Sequence, residues 1–232
     1  METEPRGSIM TRSKYLLYIA ILFVAVLMVS DTVGSKLIQI GSLTLSATIF
    51  IFPISYIFGD VLTEVYGYKA SRRIVWSGFA AVIFMVFCYW VVKVLPPAPF
   101  WQNQDAYEAI LGATPRLVLG SILAYFCGEF SNSYVLSRMK IWSEGKHLWT
   151  RTIGSTIVGE GLDTLVFITI VFAGTIPASA LLTLIISQYL VKVVYEAVAT
   201  PLTYLVINKL KRAEGMDIYD RGIDYNPFSL RS

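Results

Sequence analysis

Six long apolar runs constrain the fold of this chain more than any other feature of its sequence. They cover about residues 15–33, 43–60, 74–94, 117–136, 153–172 and 177–206. A helix needs roughly 20 apolar residues to cross the hydrocarbon core of a bilayer, and most of the runs have that length. Because lipid offers no hydrogen-bond partners, the backbone N–H and C=O groups of such a run bond to one another in a helix. The pattern predicts an all-α, polytopic membrane protein of six transmembrane helices.

Composition favours the same fold class. Hydrophobic residues make up 55% of the 232 residues and charged residues only 15%, with a mean hydropathy of +0.61. The longest segments outside the runs are the loop at 95–116 and the tail at 208–232. We therefore expect a single membrane domain over residues 1–232 and no soluble domain. Within the loop, Asp105–Leu111 is predicted to form a short surface helix.

Basic residues are distributed unevenly between the two sets of alternating connecting segments. One set contains Arg6, Arg12, Lys14, Lys69, Arg72, Arg73, Arg138, Lys140, Lys146, Arg151, Lys209, Lys211, Arg212, Arg221 and Arg231, and the other contains Lys36 and Arg116. Cytoplasmic loops carry the excess of Lys and Arg. Both termini and the tail are therefore predicted to be cytoplasmic, in a multi-pass protein of the cell membrane, which is the inner membrane in a Gram-negative source. The net charge of +3 follows from this asymmetry and does not indicate a nucleic-acid partner.

Two acids, Glu160 and Asp163, lie one helical turn apart in the middle of the fifth run. A carboxylate at that depth costs at least roughly 2.5 kcal/mol on insertion scales, so it is expected to face a partner, a ligand or water. Ser155, Thr156 and Gly159 lie on the adjoining turns, where small residues let another helix or a ligand approach closely. The pattern favours a binding wall over a purely structural network.

The sixth run contains a polar stripe in which Gln188, Lys192, Glu196 and Thr200 recur every four residues. Residues at this spacing share one face of a helix, so Lys192 and Glu196 are predicted to pair along the stripe. The pair either holds helices together or binds a ligand, and the sequence leaves both open. The primary amide of Gln188 offers a donor and an acceptor to a planar ligand.

Further polar residues occur in the other runs. Asn132 in the fourth run is a candidate ligand contact, and Glu129 beside it is either a structural residue or part of a water-facing wall. Asp60 and Glu64 share one face near the cytoplasmic end of the second run, where they act as a gate or form salt bridges with Lys69, Arg72 and Arg73. Asp31, near the outer end of the first run, is a candidate entrance residue.

Five motifs follow one another along nearly the whole chain. They are GDVLTEVYGYKASRR at 59–73, the loop at 101–116 with Gln104, Tyr107 and Thr114-Pro115-Arg116, Gly128-x-x-x-Asn132, Ser155-Thr156-x-x-Gly159-Glu160-x-x-Asp163, and Asp224-Tyr225-Asn226-Pro227-Phe228. In this order they resemble the queuosine precursor transporter family, also called the vitamin uptake transporter family. The resemblance implies import of 7-cyano-7-deazaguanine, 7-aminomethyl-7-deazaguanine or queuine, for salvage into the queuosine of tRNA. It also implies a six-helix fold similar to the substrate-binding subunits of energy-coupling-factor vitamin transporters.

A 7-deazaguanine fits the polar residues of the runs. Its ring N–H and exocyclic amine can be accepted together by one carboxylate, a role that suits Glu160 or Asp163. Its carbonyl oxygen needs a donor, which suits Asn132, Gln188 or Lys192. Aromatic rings are expected to stack on the base, as they do in nucleobase recognition, and the candidates are Tyr189, Tyr195 and Phe167.

Three hypotheses of different classes follow. The leading one is a transporter that acts alone, and the alternative is a substrate-binding membrane subunit of an ATP-driven importer, because the chain lacks the phosphate-binding G-x-x-x-x-G-K-[ST] motif. The third is an intramembrane enzyme with Glu160 and Asp163 as an acid/base pair. No nucleophile or metal set accompanies these acids, and the single His147 lies in a basic loop, so we predict neither an enzyme nor a cofactor. Homo-oligomerisation and an energising partner stay open.

Overall fold

A computed structural model describes residues 13–33, 36–40, 43–112 and 115–229. Arg6, Arg12, Thr114 and Arg231, on which predictions above depend, lie outside the described residues. The α-helices of the described part are α1 (Leu16–Val33), α2 (Phe52–Tyr66), α3 (Tyr68–Val94), α4 (Gln104–Leu111), α5 (Pro115–Trp142), α6 (Leu148–Phe172) and α7 (Ala178–Glu214).

Six of these helices are long and apolar enough to cross a membrane, which confirms the predicted all-α, polytopic fold. They are α1, α2 with the short 3-10 turn Ala47–Phe50 before it, α3, α5, α6 and α7. Large apolar side chains cover the outside of the bundle, as Phe84 and Val198 show with 66% and 76% exposure. An apolar exterior around a polar interior is the arrangement that a bilayer favours. The predicted surface helix at 105–111 is also confirmed, because α4 covers it and buries no residue.

The start of the second span differs from its prediction. Residues 43–46 belong to a short antiparallel hairpin of β1 (Leu37–Ile40) and β2 (Leu43–Ser46), with Leu37 opposite Ser46. The sequence LTLS alternates apolar and polar residues, a pattern of period two that is typical of a strand. The span itself is Ala47–Tyr66, and Pro53 lies in the first turn of α2, where its missing N–H costs nothing.

A single residue, Gly67, separates α2 from α3. Its φ of +82° lies in the left-handed region that favours glycine. A Cβ at this position would also approach within 2.8 Å of Asp220 Oδ1 and 2.9 Å of Ile218 Cγ2. The residues after α7 therefore pack against the connection between α2 and α3.

The α5 and α6 helices pack together most extensively. Gly128 of α5 and Gly159 of α6 face each other at their crossing, where a Cβ on Gly159 would lie 2.9 Å from the carbonyl oxygen of Gly128 and 2.7 Å from Asn132 Cβ. The expected close approach of another helix to the fifth span is thus confirmed, and α5 is that helix. Small residues allow such an approach because no side chain separates the two backbones.

The N-terminal end of α1 lies beside the C-terminal end of α7. The backbone N–H groups of Lys14 and Tyr15 donate to the Glu214 carboxylate at 2.9 and 2.8 Å. The α7 helix ends eight residues beyond the predicted span, and the segment at 215–229, which we call the tail segment, folds back onto α3 and α5. The basic segments thus meet at one end of the bundle. That this end is cytoplasmic stays a prediction.

Candidate functional site

Five acids are buried in the interior of the bundle. They are Asp60 of α2, Glu129 of α5, Glu160 and Asp163 of α6 and Glu196 of α7, which we call the acid cluster. None is more than 5% exposed, and each is close enough to another member to interact with it electrostatically. Acids at this depth are conspicuous because isolated carboxylates are expensive in a membrane interior.

Lys192 of α7 crosses to α6 and bridges two members of the cluster. Its Nζ lies 2.6 Å from Asp163 Oδ2 and 2.7 Å from Glu160 Oε2, and 4.7 Å from the centre of the Phe52 ring. The predicted pair of Lys192 with Glu196 along α7 is therefore wrong. Two carboxylates on the facing helix attract the ammonium more strongly than one carboxylate on its own helix.

Asn132 joins α5 to α2. Its Nδ2 donates to Asp60 Oδ1 at 2.8 Å, and both residues are fully buried. The bond uses the donor of the Asn132 amide, so the acceptor oxygen of that amide and the second oxygen of Asp60 are left without a partner among the described residues. Asn132 thus orients the carboxylate of Asp60, and its contact with a ligand stays a prediction.

Several polar atoms around the acid cluster have no hydrogen-bond partner among the described residues. They are both carboxylate oxygens of Glu129 and of Glu196, Asp60 Oδ2, Asn132 Oδ1 and the hydroxyls of Tyr56, Tyr125, Thr156 and Thr164. Each of these atoms exposes less than 1 Å². Buried polar groups in proteins are nearly always bonded to protein or to water, so this concentration makes the acid cluster the candidate binding site.

The neighbouring glycines create room for these groups. The Glu129 carboxylate occupies the space that a Cβ of Gly59 would fill. The Tyr56 hydroxyl lies where a Cβ of Gly128 would be, and its ring lies against Gly159 at the crossing of α5 and α6. Glycine at these positions therefore makes room for Glu129 of α5 against α2 and for Tyr56 of α2 against the crossing of α5 and α6.

Phe52, Tyr56 and Tyr125 are aromatic residues that the structure places beside the acid cluster, and sequence reasoning missed all three. For the first two, a sequence signal existed. They precede Asp60 by eight and four residues, so the helical spacing of 52, 56 and 60 was the signal that could have found them. Of the predicted stacking residues, Tyr189 donates its hydroxyl to the backbone of Ile157 at 3.3 Å. Tyr189 is thereby held at the α6–α7 contact.

Two predicted residues are not members of the acid cluster, although Asp31 is close enough to Asp163 to interact with it electrostatically. Gln188 is half-buried one turn before Lys192 and does not belong to the hydrogen bonds and ion pairs that join the described residues of the site. Asp31 is exposed at the end of the bundle opposite the tail segment, where it lines a cavity of about 620 Å³ with Met85, Tyr89 and Trp90. This place is compatible with the predicted entrance role of Asp31.

Glu64 belongs to a second group of charges, nearer the tail segment. Its Oε1 lies 2.7 Å from Arg151 Nη2, 2.7 Å from Lys211 Nζ and 3.7 Å from Lys140 Nζ. Asp217 pairs with the same two lysines at 2.6 and 2.8 Å. We call these five residues the end network. Partial burial alone would raise the pKa of Asp217, but hydrogen bonds from the two lysines hold it below its ordinary value.

The predicted salt bridges of Glu64 with the basic residues that directly follow it are wrong. Its partners come from α5, α6 and α7, because the side chain of Glu64 points into the bundle and is 0% exposed. Arg72 instead holds the tail segment, and its Nη1 donates to the carbonyls of Asp224 at 2.9 Å and Asn226 at 2.7 Å. Trp76 adds a bond from Nε1 to the Pro227 carbonyl at 2.8 Å.

Comparisons with known proteins agree with this architecture. The sequence model of the family described as "Putative vitamin uptake transporter" matches residues 46–206, a range that contains the whole acid cluster and Lys192. The chain is 33% identical to the "Probable queuosine precursor transporter" of Bacillus subtilis over 73% of its own length and 74% of the relative. It is 27% identical to the "Queuosine precursor transporter" of Escherichia coli over 53% of each chain.

No solved structure shows a significant match to the chain. The predicted likeness to the substrate-binding subunits of energy-coupling-factor transporters therefore stays a prediction. The resemblance seen in the sequence motifs is confirmed by the family match and by both relatives. With six membrane-spanning helices around a buried polar site, the chain belongs to the vitamin uptake transporter family.

Proposed function

We propose that this protein imports queuosine precursors, the 7-deazaguanine bases, through a site at the acid cluster. The observation that carries the proposal is the similarity to two proteins named as queuosine precursor transporters, in a chain whose family match contains the whole cluster. The unbonded polar atoms of the cluster support it, because a base with several donors and acceptors would bond them.

The free acceptors of the site suit the edge of the base that carries the ring N–H and the exocyclic amine. Glu160 and Asp163 are engaged by Lys192, whereas the carboxylates of Glu129 and Glu196 have no partner among the described residues. In this proposal one or both of these two acids accept the N–H edge, as carboxylates do for paired donors. Glu160 and Asp163 hold Lys192 in position.

The carbonyl oxygen of the base needs a donor on the other side. Lys192 provides one, because an ammonium has three donors and two carboxylates leave one free. The Tyr56 hydroxyl provides a second. The rings of Phe52 and Tyr56, with centres 5.7 Å apart, supply aromatic surface for the planar base. Gln188, on the turn before Lys192, extends the binding wall in this proposal, and Asp31 lies at the entrance.

The test is the queuosine content of tRNA in a host that can neither make nor import the precursors. Each of the three bases is supplied at nanomolar concentration, with the gene present or absent. We expect queuosine only when the gene is present, and the bases that support it identify the substrates. If no base gives gene-dependent queuosine while the protein is in the membrane, the proposal is overturned.

Two tyrosine variants make this experiment specific for the site. Tyr56→Phe removes only a buried hydroxyl that has no partner among the described residues, so we expect normal amounts of protein in the membrane and at least tenfold slower uptake. Tyr204→Phe on α7 makes the same chemical change at a side chain that is 40% exposed, and normal uptake is expected. Equal uptake by the two variants would contradict a role of Tyr56 in binding.

Purified protein in liposomes tests whether the chain acts alone. Liposomes loaded with unlabelled base are diluted into labelled base, and exchange is measured without ATP or any other protein. Exchange supports a transporter that acts by itself. If queuosine forms in cells but liposomes show no exchange, the alternative of a substrate-binding subunit with an energising partner is favoured.

A further inference from the structure

The acid cluster contains far more acid than base. Its five carboxyl groups are accompanied by one ammonium, that of Lys192, among the residues that the structure describes around it. Fully ionised, the site would hold a net charge of −4 in a membrane interior. Unpaired buried charges cost several kcal/mol each even after the protein relaxes, so most of this charge must be neutralised.

The shortage of partners is concentrated on two residues. Lys192 neutralises part of the charge of Glu160 and Asp163, and Asn132 donates to Asp60. Glu129 and Glu196 are 0% and 1% exposed, and none of their four carboxylate oxygens has a donor among the described residues. These are the groups for which the ionised form is least supported.

Among the described residues, no cation pairs with either of these two acids. The titratable groups that interact with Glu129 are Tyr56 and Asp60 of α2, Tyr125 of α5, and Glu160 and Asp163 of α6. Glu196 interacts with Asp60 and Glu160, and Asp60 also interacts with Glu64. The described residues also contain no group of three or more His, Cys, Asp or Glu arranged to hold a metal ion. Protons are the simplest way to neutralise the two carboxyls.

We infer that Glu129 and Glu196 are protonated in the substrate-free state and exchange their protons for the transported base. The inference rests on the proposed function. The paired N–H donors of the base bond well only to an ionised carboxylate, so binding favours breaking the O–H bond of a carboxyl group. The proton passes to water on the side from which the base enters, and N–H···O bonds to the base replace it. Base and proton thereby compete for the same oxygens.

This competition has a defined consequence for transport. The buried site is stable either with protons or with the base bound. In either form, the protein changes the side of the membrane to which the site is open. Base entering the cell is then exchanged for protons leaving it. An outwardly directed proton gradient therefore accelerates uptake, and an inwardly directed gradient slows it.

The first experiment measures binding of 7-cyano-7-deazaguanine to the purified protein between pH 5.5 and 8.5, because this base carries no ammonium that would titrate itself. We expect the affinity to increase with pH, approaching tenfold per pH unit for each proton displaced. In weak buffer, mixing protein and base should release protons, which a pH-sensitive dye detects. Binding that is independent of pH and releases no proton overturns the inference and leaves the proposed function intact.

Variants identify the groups that carry the protons. Glu129→Gln and Glu196→Gln keep the size of each side chain and remove its titration, so each should release fewer protons per bound base and show a weaker dependence on pH. Glu144→Gln, in a loop where this side chain is 74% exposed, should behave as wild type. If both cluster variants release as many protons as wild type, other groups carry the protons and the inference is wrong.

Two further outcomes also decide the matter. If the base fails to bind at every pH and in every variant, the proposed function is wrong and the inference falls with it. If affinity depends on sodium at constant pH and does not depend on pH at constant sodium, a metal cation occupies the cluster and proton exchange is overturned. Proton release by wild type needs no variant, so the test stands even if the variants fold poorly.

Discussion

The acid cluster and the end network each contain fully buried acids, but the two regions neutralise those acids very differently. Glu64 in the end network and Glu129 in the acid cluster are both 0% exposed. Glu64 lies within 3.7 Å of three cationic groups, whereas no described residue donates to Glu129. The end network contains two acids and three bases, and the acid cluster contains five acids with one base.

The difference separates two uses of buried charge. A neutralised network ties α2, α5, α6 and the end of α7 together, and it needs nothing from outside the protein. An unneutralised cluster is unfavourable by itself and is completed by a ligand, protons or both. We therefore interpret the end network as a structural element that holds the helices together at one end of the bundle, and the acid cluster as the site of binding and transport.

The largest effect on stability is expected for Glu64→Gln. The variant leaves the Arg151 guanidinium, which is 1% exposed, without its carboxylate, and breaking a buried ion pair on one side costs roughly 3–5 kcal/mol. Denaturant unfolding of the purified protein in detergent measures the loss. Glu144→Gln breaks an exposed pair with Lys146 and should cost less than about 1 kcal/mol. Similar losses for the two variants would show that the end network does not stabilise the fold.

Gly159→Ala tests the helix crossing on which both regions depend. The new methyl group would lie 2.7 Å from Asn132 Cβ and 2.9 Å from the Gly128 carbonyl, so α5 and α6 must separate, at a cost of roughly 1–3 kcal/mol. Gly161→Ala, two residues further along the same helix, meets Tyr189 at an ordinary 3.5 Å and should be neutral or slightly stabilising. The same unfolding measurement compares them, and a stable Gly159→Ala variant would argue against a close crossing.

Ser137→Ala tests how the tail segment is held. Burial raises the pKa of Asp220, and hydrogen bonds from Ser137 Oγ at 2.6 Å and the Tyr68 N–H at 2.8 Å favour its ionised form. Loss of the hydroxyl should weaken docking by about 0.5–1.5 kcal/mol. Hydrogen exchange of residues 216–229 should then become several times faster. Ser77→Ala, which loses only an exposed bond to the Arg73 carbonyl on its own helix, should leave that exchange unchanged.

The smallest effect on stability, together with a large effect on function, is expected for Glu129→Gln and Glu196→Gln. Because neither carboxylate has a donor among the described residues, an amide of the same size should keep the free energy of unfolding within about 1 kcal/mol of wild type. Uptake should fall at least tenfold. Losses as large as that of Glu64→Gln would remove the distinction between the two regions.

Most residues of the site were predictable from local sequence, but the partners of their side chains were not. Asp60, Glu129, Glu160, Asp163 and Glu196 stand out as acids within apolar runs, and a helical spacing pointed to Lys192. The pairing of Lys192 was wrong because its partner Asp163 is 29 residues away on another helix. Glu64 was assigned to neighbours in sequence, and its bond to Lys211 spans 147 residues.

The sequence by itself determined the six spans, the all-α class and the family of this protein. Membrane insertion depends on the summed transfer free energy of about 20 neighbouring residues, which a local stretch of sequence contains in full. Only the tertiary structure decided which buried acids are neutralised. The energy of a buried charge depends on the few groups within several ångströms of it, and the packing of helices far apart in sequence brings those groups there or leaves them out.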